Sequence, residues 1–522
     1  MTLDADKLPA DPDGLRALLL AERTRHAEEV ARIVSERDRL RAIIQALQRH
    51  RFGRRSERLD PDQLALALEE VEQSIAVAEA EEDQAASKPA NKRPPARRKT
   101  NRGALPAHLP RIEKVIDIAD RTCPCCAGTL HRIGEDVAER LDVIPAQFRV
   151  LVIRRPKYAC RTCVGTVVQA PAPPRLVEGG LPTEALVAHV VVGKYANHLP
   201  LYRQAQIYAR QGIELDRSTL ADWVGRGAWW LRPLHARLLD QLRASPKLFA
   251  DETTAPVLDP GRGRTKTGQL WAYARDDRPW GGPAPPAVAY VYAPDRRAER
   301  PTAHLQDFQG VLQVDGYAGY RALAETGQVR LAFCWSHVRR RFYEIAAAGH
   351  APIASEALAR IADLYAIEAE IRGRDADARR AVRSERAKPL INGMKTWLEA
   401  QLALVSQKST IAQAIRYALS RWPGLTRFLD DGRIEIDSNI VERAIRPLAL
   451  NRKNALFAGS DGGAEHWAIL ASLIETCKLN AVDPQAYLAD IFARLVAGHS
   501  VKRLDELLPW YWAQSHQTQR AA

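Results

Sequence analysis

The chain begins with a long helical pattern of apolar positions between residues 13 and 50. Leu19, Ile33, Leu40 and Leu47 fall in one heptad column, although polar residues interrupt that column and its neighbour. This pattern predicts an imperfect coiled coil. A single amphipathic helix that packs on its own domain is the alternative.

A second helical stretch runs from Pro61 to about Ala80. We therefore predict a helical, coiled-coil oligomerisation region over residues 1–84. The segment from Lys88 to Arg102 then has seven Lys or Arg, three Pro and no acid, so it cannot bury a core. It predicts a flexible basic linker over residues 85–109, which either grips DNA phosphates or is only a solvated tether. The candidate phosphate contacts are Lys92, Arg93, Arg97, Arg98 and Lys99.

Residues 247–337 alternate in a manner typical of β-strands. The strand-like strings are KLFADETTAPVL, GQLWAYAR, AVAYVYAP, GVLQVDGY and VRLAFCWSH. Helical patterns precede them at 181–243, follow them at 338–430 and return near the C-terminus. The order predicts a multidomain α+β chain, with helices before, within and after a strand-rich core.

The net charge of the chain indicates which class of partner it binds. The chain of 522 residues has 76 Lys and Arg against 63 Asp and Glu, a net charge of +13. Hydrophobic residues make up 46%, which excludes a wholly disordered chain. The basic excess favours polyanions, with nucleic acid first. No apolar run approaches the roughly 18 residues that span a bilayer, and the acidic start resembles no signal peptide, so we expect a cytoplasmic protein without a membrane partner.

Two C-x-x-C pairs lie in a β-rich stretch, which predicts a zinc-ribbon DNA-binding domain over residues 110–175. Their four thiolates match the tetrahedral demand of one structural Zn²⁺, which leaves no open position for catalysis. Cys125 lies between the first pair and can replace either partner. Buried thiols without a ligand are the alternative. The four predicted ligands are Cys123, Cys126, Cys160 and Cys163.

The string LPLYRQAQIYARQGIELDRSTLADWVGRGAWWL predicts helix, turn, helix within a region over residues 176–245. Gly212 lies at the turn, Asp216 or Ser218 is placed to cap the second helix, and Leu220 would face inward. Such a pair either reads the major groove of DNA or packs as an ordinary helical pair. The candidate DNA contacts are Arg217, Thr219 and Arg226.

Three carboxylates lie in or next to predicted apolar elements, where burying a charge costs free energy unless the charge is paired or bound to a metal. Asp251 lies within an apolar strand, Asp315 ends another, and Glu442 follows a helix start that Asp437 or Ser438 can cap. Taken singly, each is better explained as a surface charge or a cap. Together they suit two Mg²⁺ ions, or Mn²⁺, that activate water or a 3′-hydroxyl in phosphodiester chemistry.

Other polar residues accompany these carboxylates. Cys334 and His337 form a C-x-x-H after the last strand. We interpret them as packing or orienting residues rather than metal ligands, because two ligands do not complete a second zinc site. The supporting residues, all within about one turn of Glu442, are Asn439, Arg443 and Arg446.

Several long strings resemble the insertion-sequence-sixty-six family of bacterial DDE transposases. They are FGRRSERLDPDQ, RPKYACRTC, FADET, VDGYAGY, CWSHVRRRF and ERAIRPLALNRKNALFAGS. The resemblance implies a ribonuclease-H-like α/β catalytic domain over residues 246–470, with a helical insertion at about 340–430. It also implies a helical C-terminal region over 471–522. The C-x-x-H matches an element that follows the second Asp in transposases with such an insertion.

The resemblance further implies that Asp251, Asp315 and Glu442 carry the metal ions. It implies a transposase that binds terminal inverted repeats, cuts phosphodiesters to expose 3′-hydroxyls and joins them to target DNA. The implied partners are DNA, further copies of the chain and accessory proteins of the same element. Two other functions stay open: a DNA-binding regulator that has lost its chemistry, and a structure-specific nuclease that cuts without joining.

Overall fold

A computed structural model describes residues 181–259, 264–325 and 327–521, with short pieces between 148 and 177 and isolated positions before residue 25. The predicted coiled coil, basic linker and zinc cysteines lie outside the described residues. The chain divides into two units, and the second, Ile153–Ala522, contains every element given below. No helix of the described part is long and apolar enough to cross a membrane.

The second unit begins with a short hairpin and a helical layer. The hairpin consists of β1 (Lys157–Ala159) and β2 (Val167–Gln169), which pair antiparallel. The helices are α1 (Glu184–Tyr195), α2 (Leu201–Ala209) and α3 (Arg217–Arg243). α3 is the longest of these and continues onto the sheet, where His235 Nε2 lies 2.9 Å from the carbonyl oxygen of Tyr290.

All five predicted strands form, and they build one sheet in the order β5-β4-β3-β6-β7. The strands are β3 (Lys247–Asp259), β4 (Arg264–Arg275), β5 (Ala287–Ala293), β6 (Gly310–Val314) and β7 (Val329–Phe333). β3, β4 and β5 are antiparallel, whereas β6 and β7 run parallel to β3. β6 pairs with β3 only over Lys247–Phe249, so the strands part just before Asp251.

Helices connect and extend this sheet. Two short ones, α4 (Glu299–His304) and α5 (Arg321–Glu325), flank β6 in the chain. A larger helical insertion follows β7. It consists of α6 (Trp335–Ala347), α7 (Pro352–Ile371), α8 (Ala376–Val382), a π-helical turn (Arg383–Ala387), α9 (Lys388–Leu404), α10 (Thr410–Leu419) and α11 (Trp422–Leu425). Its core is apolar and well packed, with Trp335 edge-on to Trp422 at 5.7 Å between ring centroids.

The insertion also contains a buried network of charges. Glu368 on α7 accepts hydrogen bonds from Arg383 at 2.6 and 2.7 Å and from Arg379 at 3.3 Å. Arg379 also lies 2.8 Å from Glu435, which leads towards the next helix. Both arginine side chains are at most 1% exposed. The network therefore joins the insertion to the segment that leads into the next helix, Asn439–Ala455.

The last helices return to the sheet. They are α12 (Asn439–Ala455), α13 (Asp461–Leu479), α14 (Pro484–Val496), a 3₁₀ segment (Val501–Leu507) and α15 (Pro509–Ala521). α13 covers β5, where its Ser472 and Thr476 hydroxyls accept hydrogen bonds from the Tyr290 and Val288 amides at 2.7 and 3.1 Å. These bonds satisfy strand amides at the margin of the sheet.

The segment of α12 is tied to the sheet at both ends. Before the helix, Gln313 of β6 exchanges two side-chain hydrogen bonds of 2.9 Å with the backbone of Glu435. After the helix, Ala458 exchanges backbone hydrogen bonds with Pro256 and Leu258 of β3, at 2.9 and 2.8 Å. The two ties fix the helix along the sheet.

Candidate active site

The three predicted carboxylates come together at one edge of the sheet. Asp251 lies within β3, Asp315 directly follows β6, and Glu442 lies in the first turn of α12. Because β6 pairs in parallel with the start of β3, its end lies beside the middle of β3. The charges of Asp315 and Glu442 both act on Asp251, as expected for neighbours in one site.

Burial is the main cause that raises the pKa of Asp251 to about 7. The carboxylates of Glu252, Asp315 and Glu442 act in the same direction, and a 2.8 Å hydrogen bond from the Glu252 amide opposes them. A bound cation stabilises carboxylates that repel one another in this way. The donor set consists of hard oxygen atoms, so these residues suit Mg²⁺ or Mn²⁺.

Asp315 is fixed by the turn that follows β6. Its Oδ1 atom accepts a hydrogen bond from the Tyr317 amide at 2.7 Å, and its backbone carbonyl accepts one from the Tyr417 hydroxyl at 2.9 Å. Gly316 between them has a φ of +102°, a conformation that strongly favours glycine. The string VDGY therefore sets the position of the carboxylate through the backbone.

The C-x-x-H element lies against Glu442. His337 Nδ1 is 3.8 Å from Glu442 Oε1, and the Ser438 hydroxyl donates to the same oxygen at 3.4 Å. Burial lowers the pKa of His337, which favours the neutral imidazole, and burial raises the pKa of the Cys334 thiol to about 12. Cys334 Sγ accepts a hydrogen bond from the Ser438 amide at 3.2 Å. Ligand atoms of Cys334, His337 and Glu442 lie within 4.8 Å of one another.

A fourth carboxylate, which the sequence did not single out, lies next to Asp251. The side chain of Glu252 is 2% exposed and is bound by Arg296 Nε at 2.7 Å and by the Tyr320 hydroxyl at 3.2 Å. Arg296 also stacks on Tyr317, 4.1 Å from the ring centroid. Because Glu252 is already paired, its role is to hold Arg296 and the turn after β6. In the sequence, Glu252 could have been recognised from its position in FADET, directly after the predicted Asp251.

The supporting residues of α12 differ in their surroundings. Asn439 Nδ2 donates to Asp437 Oδ2 at 2.8 Å, at the start of the helix. Ser438 occupies the N-cap position but makes no side-chain cap hydrogen bond. Arg443 and Arg446 are exposed, so their guanidinium groups are open to a ligand in solution.

The predicted helix-turn-helix residues lie on α2, α3 and the turn between them. Gly212 has a φ of +77° at the turn, and Leu220 is fully buried. Asp216 is at the N-cap position, but the predicted side-chain cap was wrong because its exposed carboxylate makes no cap hydrogen bond. Arg217 is exposed, Thr219 is half-buried, and Arg226 donates to Asp222 at 2.9 Å in an exposed pair.

Consecutive segments of the chain match known family models. The model described as "Transposase IS66 family" matches residues 179–466, more than half of the chain and all three carboxylates. The chain belongs to the IS66 family. Three further models match around that segment: "Transposase C of IS166 homeodomain" at 39–113, "zinc-finger binding domain of transposase IS66" at 120–164 and "IS66 C-terminal element" at 472–510.

These matches confirm the predicted family and its transposase, zinc-finger and DNA-binding character. Relatives extend over nearly the whole chain of this IS66 member. It is 47% identical over 495 residues to the uncharacterized protein y4jD of Sinorhizobium fredii (strain NBRC 101917 / NGR234), which covers 93% of this chain and 96% of that protein. It is 45% identical to the uncharacterized protein y4qI of the same organism, with 98% of each chain covered.

Proposed function

We propose that this IS66-family chain is a DDE-type transposase that cuts DNA at the terminal inverted repeats of its element and joins the ends to target DNA. The observation that carries this proposal is the convergence of Asp251, Asp315 and Glu442 at one sheet edge. The strand order supports a ribonuclease-H-like domain, since three antiparallel strands precede two parallel ones. Asp251 lies on β3, the first strand of this sheet along the chain. Asp315 follows β6, the fourth strand of the sheet, and Glu442 lies on α12.

The chain's own residues would prepare this site for two divalent ions, with Mg²⁺ as the proposed cofactor. Such ions, when bound, supply activation of water or a 3′-hydroxyl and stabilisation of the leaving oxygen. Backbone hydrogen bonds position Asp251 and Asp315. The Ser438 hydroxyl would orient the Glu442 carboxylate through its hydrogen bond, and His337 of the C-x-x-H would act on the same oxygen only through its charge, from 3.8 Å away.

A cleavage and joining assay on DNA that contains the element's ends tests the proposal. Purified full-length protein with Mg²⁺ should release 3′-hydroxyl ends and produce strand-transfer products, and chelation should stop both. Cutting without joining would favour a structure-specific nuclease. Binding of ends without any cutting would favour a regulator that lacks the chemistry.

Recognition of the element is proposed for the parts that precede the catalytic strands. The zinc ribbon and the helix-turn-helix would read the ends, with base contacts from Arg217, Thr219 and Arg226. The basic linker would add phosphate contacts without base preference. The N-terminal helical region would pair copies of the chain, and accessory proteins of the element would assist.

Divalent-metal affinity should fall as the pH drops below about 7. The raised pKa of Asp251 means that its carboxyl group holds a proton below that pH, and a ligand must lose its proton before it binds metal. One competing proton lowers the affinity by about tenfold per pH unit. Titration of Mn²⁺ into the DNA-free protein at pH 6, 7 and 8 measures this. Asp251→Asn should remove the dependence, and equal wild-type affinity at pH 6 and 8 would contradict it.

One zinc ion should bind each chain. Replacing Cys123 or Cys160 with Ser should release it, because a structural site needs all four thiolates. Elemental analysis of protein purified without chelator measures the zinc content. Cys477→Ser is the control, since Cys477 is a buried free thiol in the C-terminal region. Wild-type protein without zinc, or zinc loss only in the control, would refute the site.

A further inference from the structure

Two arginines of the described chain stack on one tyrosine ring beside the candidate active site. The guanidinium carbons of Arg341 and Arg421 each lie 3.9 Å from the centroid of the Tyr417 ring. Arg341 extends from α6 and is exposed, Tyr417 lies on α10, and Arg421 precedes α11. The three residues form a stack, here called the Arg-Tyr-Arg stack, which belongs to the helical insertion.

The Arg-Tyr-Arg stack is fastened to the turn that carries Asp315. The Tyr417 hydroxyl donates to the Asp315 carbonyl at 2.9 Å, and Arg421 donates to the Gly316 carbonyl at 3.4 Å. A Cβ atom at Gly316 would lie only 2.6 Å from Arg421 Nε. This close approach and the positive φ of Gly316 both favour glycine, and the two hydrogen bonds tie Tyr417 and Arg421 to the backbone around a proposed metal-binding residue.

In the described part of the chain, no ion pair involves Arg341 or Arg421, although both stack on Tyr417. Arg360 provides a contrast, because it stacks on Trp397 at 4.8 Å and is paired with Glu356 at 2.8 Å. Two cations that are held near each other repel, and phosphate anions bound to them would relieve the repulsion.

Positive charge continues beyond the stack. Arg421 also lines a cavity of about 390 Å³ at the β7 edge, together with Arg330 and Arg427. On the other side, the charges of Arg340 and Arg341 both act on His337, which contacts Glu442. The basic residues therefore extend from the edge of the sheet to the carboxylates.

We propose that the two arginines of the Arg-Tyr-Arg stack bind phosphates of the DNA backbone next to the bond that is cut. The proposal rests on the proposed function, since it takes DNA as the substrate. Guanidinium groups bind phosphate oxygens in a bidentate manner, and stacking on Tyr417 orients them before the ligand arrives. Tyr417 is in addition a positioning residue, because its hydroxyl links the stack to the backbone of Asp315.

Salt dependence of DNA binding tests the phosphate contact. Full-length wild type, Arg341→Gln and Arg421→Gln are titrated with end-containing duplex without divalent metal at several salt concentrations. Each variant should bind about fivefold to tenfold more weakly at low salt, and its log–log salt slope should be shallower by about 0.9 for each phosphate that the variant no longer binds. Arg360→Gln is the matched control and should keep the wild-type affinity and slope.

Neutral phosphates locate the contact. Duplexes with a single neutral methylphosphonate linkage on one or the other side of the cut position are compared. At one of these positions the neutral linkage should weaken binding by the wild type. The same linkage should not further weaken binding by Arg341→Gln or Arg421→Gln. Tyr417→Phe should keep the salt slope but cut more slowly, with Asp315 less well positioned. Wild-type slopes in both arginine variants, or additive effects at every linkage, would overturn the stack as a phosphate site. Wild-type protein that binds ends but never cuts them would instead refute the proposed function.

Discussion

Asp251→Asn, Asp315→Asn and Glu442→Gln are each expected to abolish DNA cleavage while the chain still folds and binds DNA. Each change removes a negative charge from the proposed metal site at nearly constant volume. Divalent ions in the proposed site would supply several kcal/mol of transition-state stabilisation, so we expect a loss of about a thousandfold or more, at about 1.4 kcal/mol per factor of ten. Cleavage of end-containing duplex with Mg²⁺ measures it.

Asp377→Asn is the control for charge removal alone. The Asp377 side chain is 90% exposed on the helical insertion, so this variant should cut like wild type. Thermal unfolding and DNA binding of all four variants separate chemistry from folding. Cleavage at the wild-type rate by any of the three active-site variants would remove that residue from the site.

Glu368→Gln is expected to cause a large loss of stability. The Glu368 side chain is 9% exposed and accepts hydrogen bonds from two nearly inaccessible arginines. Removing one member of a buried ion pair leaves charge without compensation, which costs about 3–5 kcal/mol. Urea unfolding, followed by tryptophan fluorescence, measures the change, because Trp335 and Trp422 lie in the core of the same insertion.

Glu370→Gln is the matched control on the same helix. Glu370 also pairs with an arginine, Arg386, at 2.6 Å, but both side chains are about half exposed. Exposed ion pairs contribute little because water screens them, so this variant should unfold like wild type. Equal unfolding curves for the two glutamine variants would show that burial does not determine the strength of the Glu368 network.

The strands and the three carboxylates were accessible from the sequence because their signals are local. The string FADET places a charge within an apolar strand, and VLQVDG ends a strand with an acid and a glycine. Each pattern predicts its own element without knowledge of the rest of the chain. Glu442 was singled out by a helix start that Asp437 or Ser438 can cap, and the family resemblance strengthened that hypothesis, because a glutamate near a helix start is by itself an ordinary surface residue.

The residues that surround the carboxylates could not be predicted from the sequence in the same way. Tyr417 and Arg421 contact Asp315 and Gly316 from a distant part of the chain, and no local pattern reports such a contact. Glu252 was missed for a related reason, because Arg296 neutralises it from another segment. The predicted cap at Asp216 failed because a residue type that favours a cap does not guarantee its hydrogen bond.

The two ties of α12 have a consequence for the order of events during protein synthesis. Asp251 and Asp315 emerge from the ribosome well before Glu442, since the whole helical insertion lies between Asp315 and Glu442. α12 is then secured by Gln313 before it and by Ala458 after it. Because domains generally fold as units during synthesis, the site cannot form before its third carboxylate has been made. The proposed cutting chemistry would therefore be absent while the polypeptide is growing, and would arise only once the helix and its following tie have left the ribosome.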